Sequence, residues 1–102
     1  MVRLNHHEVQ TLINATHQCF GQSARIWLYG SRVDDKKKGG DIDLYIETEK
    51  KERIVESTLE MRTLIWEVFG DQKIDIIVRE ISKKMNPMHT IARDTGVDLE
   101  TI

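Results

Sequence analysis

The chain of 102 residues is poor in several features that would point to other classes of protein. It has one cysteine, Cys19, so no disulfide can form within it, and the sequence carries no thiol cluster with metal-ligand spacing. One proline, Pro87, and no low-complexity tract argue against a linker and a second domain, so residues 1–102 are expected to form a single domain. No apolar run approaches the ~20 residues of a membrane span, and Met1-Val2-Arg3-Leu4-Asn5-His6-His7 does not resemble a signal peptide. A cytoplasmic setting without membrane contact is the expectation. With 15 basic against 17 acidic residues the formal charge is −2. That removes the global basic field that phosphate-backbone contact requires, so direct nucleic-acid binding is not expected.

What is present alternates between helical and strand periodicity. Val9, Leu12, Ile13, Thr16 and Phe20 fall at helical spacing, with Asn5 placed to cap the start and Gly21 to stop it. His6 and His7 are adjacent and splay apart on a helix, so these histidines are read with His17 as ordinary polar helix residues. A strand is expected over Arg25 to Tyr29, another over Asp41 to Ile46, and a third over Lys73 to Val78. Between the second and third, a helix is expected from about Glu49 to Val68. One ridge holds Ile54, Thr58, Met61, Ile65 and Val68, and a second holds Val55, Leu59, Trp66 and Phe69, both laid on the sheet. Asn86-Pro87 opens a short helix ending at Gly96, with His89 in an exposed or partner-facing role, followed by an exposed apolar tail holding Val97, Leu99 and Ile102. The fold class is α+β, a small mixed β-sheet with helices packed on one face.

The chemistry concentrates between Trp27 and Ile46. Alternation along the second strand puts Asp41, Asp43 and Tyr45 on one face and Ile42, Leu44 and Ile46 on the other. Neighbouring carboxylates repel, and solvent, a basic partner or a divalent cation must offset that repulsion. By itself an Asp-x-Asp is as well explained by a solvated strand edge. Here Gly30-Ser31 ends the preceding strand, where bare backbone N–H groups and a hydroxyl can take phosphate oxygens. A third acid, Asp75, interrupts an apolar strand, which is costly unless it lies at an edge or binds a cation. The lysines of the intervening loop, Lys36 to Lys38, are either a solvated tip or a clamp that meets a triphosphate or an acidic partner surface.

Leu28-Tyr29-Gly30-Ser31-Arg32, then Gly40-Asp41-Ile42-Asp43-Leu44-Tyr45-Ile46, and later Ile74-Asp75-Ile76-Ile77-Val78, together resemble the nucleotidyltransferase signature of the DNA polymerase beta superfamily. More closely, the chain resembles the minimal nucleotidyltransferases paired with HEPN-domain proteins in toxin-antitoxin systems. That resemblance implies a polymerase-beta-like fold and a Mg²⁺-dependent transfer of a nucleotidyl group, AMP from ATP. It implies that Asp41, Asp43 and Asp75 are catalytic and hold two Mg²⁺ ions, and that Gly30, Ser31 and Arg32 contact the nucleotide. It further implies a hetero-oligomer with a HEPN-domain ribonuclease toxin, whose tyrosine is the acceptor and which the chain silences as antitoxin. The alternative from another class is a weak or inactive module that neutralises its partner by occlusion.

Overall fold

The computed structural model describes residues 4–30 and 42–101. Its elements are α1 (His6–Phe20), β1 (Arg25–Tyr29), β2 (Ile42–Thr48), α2 (Ile54–Phe69), β3 (Ile74–Glu80), α3 (Pro87–Thr95) and β4 (Val97–Asp98), followed by a 3₁₀ turn, Leu99–Thr101. α1 begins where its capping residues require. The Asn5 side chain accepts from the Glu8 N–H at 2.8 Å while the Glu8 carboxylate accepts from the Asn5 N–H at 2.9 Å, a reciprocal box that satisfies two otherwise orphaned donors. Its expected stripe, Val9, Leu12, Ile13, Thr16 and Phe20, is buried.

The four strands form one mixed sheet in the order β3-β2-β1-β4. β1 runs antiparallel to β2 and β4, and β2 runs parallel to β3 through α2, as a parallel pair needs a crossover connection. Ile26 and Leu28 of β1, Ile42, Leu44 and Ile46 of β2, and Ile74 of β3 form one core with α1, with Met61, Ile65 and Phe69 of α2, and with Leu99. The fold is therefore α+β with a small mixed sheet and its two long helices on one face. The short α3 lies on the opposite face, where Ala92 packs with Trp27, Tyr29 and Tyr45. α3 is capped by a second reciprocal box, Asn86 accepting from the His89 N–H at 2.8 Å and donating its own N–H to His89 Nδ1 at 3.3 Å.

Three expectations are corrected. α2 begins at Ile54 rather than Glu49, because the backbone after β2 turns: the Thr48 hydroxyl accepts from the Lys50 N–H at 3.0 Å and donates to the Phe20 carbonyl at 2.7 Å. The second apolar ridge of α2 does not lie on the sheet. Val55, Leu59 and Trp66 are 69, 58 and 57% exposed, since the sheet is too narrow to cover both ridges and only Phe69 of that set is buried. The C-terminal stretch is not an exposed tail: Val97 pairs with Leu28 in β4, and Leu99 is 1% exposed within the main core. A hydrogen bond of 2.8 Å between His17 and Glu100 ties this end to α1. Ile102 lies outside the described residues.

Candidate functional site

The site lies on the sheet face opposite the main core. Strand register arranges this face in three rungs across β1, β2 and β3: Arg25, Glu47 and Arg79; Trp27, Tyr45 and Ile77; Tyr29, Asp43 and Asp75. The first two rungs support the third. Glu47 is buried, and its carboxylate accepts from the Tyr45 hydroxyl at 2.6 Å, from Arg79 at 3.0 Å and from Arg93 of α3 at 3.5 Å. A buried carboxylate is tolerable only with partners of this kind. Burial, with Glu47 as acceptor and neighbouring charge, pushes the Tyr45 hydroxyl up to about 12, so it stays a donor throughout the neutral range. The middle rung is covered by α3. The Arg93 guanidinium stands 5.5 Å from the centre of the Trp27 ring, and the rings of Tyr45 and His89 are 5.6 Å apart. α3, β2 and β3 are thereby fixed to one another beneath the third rung.

In that third rung Asp43 and Asp75 are direct neighbours on parallel strands, whose separation is about 4.8 Å. Asp43 is half-buried on a strand paired on both sides, and Asp75 is exposed on the outer strand. Tyr29 completes the rung from β1. Its hydroxyl is pushed upward by burial first, then by the charge of Asp43 and of Asp75. Both carboxylates therefore act on the same spot. Gly30 follows at the strand end with φ +79°, a backbone conformation that L side chains resist. A Cβ built there would run into Asp43 Oδ2, so the absence of a side chain leaves the carboxylate a cradle of bare backbone.

Of the residues singled out in the sequence, the structure brings together Asp43, Asp75 and Gly30. Asp41, Ser31 and Arg32 lie outside the described residues. Among the described residues no three His, Cys, Asp or Glu side chains form a metal-binding group. The two acids in hand are hard oxygen donors in adjacent register, a set that suits Mg²⁺ with further ligands from water and phosphate. Sequence reasoning missed Tyr29 as part of the rung and missed the network of Tyr45, Glu47, Arg79 and Arg93. Alternation alone places Tyr29 on the acidic face; the contribution of α3 has no local signal. No helix among the described residues is long and apolar enough to cross a membrane.

A family model described as a nucleotidyltransferase domain matches residues 9–95, which span all three acids and the glycine. A comparison with curated proteins finds no match.

Proposed function

The chain belongs to the nucleotidyltransferase domain family, of the polymerase beta type, and from that premise we propose that it moves AMP from ATP onto a protein acceptor. Transfer of a nucleotidyl group is the activity of the family, whose domains in general use a nucleoside triphosphate with Mg²⁺. The finer reading is an antitoxin that modifies a tyrosine of a HEPN-domain ribonuclease toxin in a cytoplasmic hetero-oligomer. The observation that supports nucleotidyl transfer is the in-register pair Asp43 and Asp75 beside the bare backbone of Gly30, and the antitoxin reading rests on the resemblance of the motifs. Two like charges on neighbouring strands are a cost to a scaffold and a requirement for a cation site.

In this reading Asp43 and Asp75, with Asp41, would hold two Mg²⁺ ions, and Asp75 would also orient the attacking hydroxyl. Bound Mg²⁺ supplies charge that favours the deprotonated acceptor oxygen and the departing pyrophosphate. The Gly30 backbone leaves room for the Asp43 carboxylate, while Ser31 would offer a hydroxyl and an N–H, and Arg32 a phosphate contact. The network of Glu47, Arg79, Arg93 and Tyr45 holds the strands in register, so the acids are oriented before the substrate arrives.

The test is to incubate the protein with ATP, Mg²⁺ and a HEPN-domain ribonuclease and to weigh the ribonuclease by mass spectrometry. Addition of one or more AMP masses at a tyrosine, lost in Asp43→Asn and on chelation, is the expected result. Unmodified ribonuclease that is nonetheless inhibited, equally by Asp43→Asn, would replace this reading with neutralisation by occlusion.

A further inference from the structure

Among the described residues β3 is an outer strand of the sheet. Which of its backbone groups face outward follows from the ladder. The Ile42 N–H donates to the Lys73 carbonyl and the Ile81 N–H to the Thr48 carbonyl, both at 2.9 Å. In parallel pairing the N–H and C=O of one residue point the same way. Odd-numbered residues from 73 to 81 therefore face β2, and Ile74, Ile76, Val78 and Glu80 direct their backbone groups away from the sheet. Arg62 covers the first of these by donating to the Ile74 carbonyl at 2.7 Å. No described strand lies beyond Ile76 and Val78.

Exposed edges are usually blunted by proline, lysine, a bulge or a covering element. β3 pairs with β2 residue for residue from Ile74 to Glu80 and contains no proline or lysine, and Ile76, Ile77 and Val78 are only half-buried. The uncovered stripe of α2 adjoins this edge. Arg62, between Leu59 and Trp66 on that stripe, reaches Ile74, and Trp66 lines the same hollow as Ile74. Edge and stripe form one surface.

We propose that this surface joins two copies of the chain, β3 lying antiparallel to β3 of the second copy about a twofold axis at Ile77, so that the sheet continues through the dimer. The register is selected by charge. Centred on Ile77, Asp75 stands opposite Arg79 of the second copy, Arg79 opposite its Asp75, and Ile76 opposite its Val78. Ile76 and Val78 are the residues whose N–H and C=O point outward, so each cross-copy pair can exchange both of its bonds. Shifting the centre to Ile76 sets Arg79 against Lys73, a like-charge pair, and shifting it to Val78 sets Ile77 against Arg79 and Asp75 against Ile81. The contact is self-complementary, as a twofold interface must be. Arg79 is already bonded to Glu47 and to the Ile81 and Lys83 carbonyls of its own chain, so across the axis it acts on Asp75 through charge and forms no hydrogen bond to that carboxylate.

Sedimentation equilibrium of the intact chain, combined with amide hydrogen exchange over a dilution series, tests the proposal. The expected result is a dimer in which the Ile76 and Val78 amides are protected and lose protection on dilution. The Ile77 amide, which bonds to β2, stays protected throughout. Ile77→Lys, which sets two ammonium groups together on the axis, should raise the dissociation constant at least tenfold. Val78→Pro should do the same, because it removes an N–H that points out of the sheet and so spares the internal ladder. Circular dichroism reports whether either variant is folded, and the exchange measurement on the unmodified chain needs neither. A monomer at every concentration, a dimer whose Ile76 and Val78 amides exchange as fast as loop amides, or protection that arises only with a different protein would each overturn it.

Discussion

Gly30 and Asp43 constrain each other directly. The glycine holds φ +79° and its missing side chain is the space into which the Asp43 carboxylate fits. Gly30→Ala should therefore cost about 1–2 kcal/mol through backbone strain alone, seen as a lowered Tm. It should also lower nucleotidyl transfer, because the new methyl displaces Asp43. Asp43→Asn separates the two effects. It keeps the shape and removes the charge, so the chain should stay folded while the transfer rate falls by about a thousandfold, the several kcal/mol that a metal-held charge contributes. Initial-rate assays beside thermal melts of the two variants check the split. Cys19 offers a third residue-level expectation. Burial, and then the charge of Glu60, push its thiol up to about 11, so thiol reagents at neutral pH should modify it only as fast as the protein opens.

At the scale of elements, the short C-terminal segment belongs to the fold. Leu99 is buried against the core shared by α1 and β1, so Leu99→Ala should destabilise by about 2–5 kcal/mol, the range for deleting a buried leucine side chain. Chemical denaturation with urea measures it, and a variant within 0.5 kcal/mol of the parent would return this segment to the surface. Elements differed in how far they could be read before the structure. α1 and α3 were legible because Asn5 and Asn86 announce their starts chemically, and β1 because Gly30 ends it. The outer ridge of α2 was misread because periodicity reports which residues share a side of a helix and not whether anything covers that side. Val97 and Asp98 make too short a strand for any pattern, and their pairing with β1 is a tertiary fact. The acidic pair was legible as a face of β2, whereas its alignment with Asp75 depends on the register of β3, which no local feature of the sequence fixes.

For the whole molecule, the polar network beneath the site has a pH signature. Burial and the contact with Glu47 push the Tyr45 hydroxyl from its ordinary 10.0 up to about 12, and Tyr29 is also raised. A raised value means the folded state holds its proton longer than the unfolded state. The stabilisation is complete below about pH 10 and is lost as pH rises toward about 12, at a slope of up to about 1.4 kcal/mol per pH unit for one group. Stability against urea should fall across that window. Tyr45→Phe should flatten the fall while costing about 1–3 kcal/mol at neutral pH, because Glu47 loses one of its donors. An unchanged alkaline profile in Tyr45→Phe would remove Tyr45 from this account.

The alignment of Asp43 with Asp75 also governs how this chain can change its length. Side chains alternate along a strand, so inserting one residue within β3 ahead of Asp75 would either swing that carboxylate to the helix-covered side or force a bulge. The same insertion between Gly70 and Lys73 is absorbed before pairing begins. Functional insertions and deletions in this part of the chain should therefore gather in the Gly70–Lys73 turn, and the seven residues of β3 should keep their number even where their identities drift.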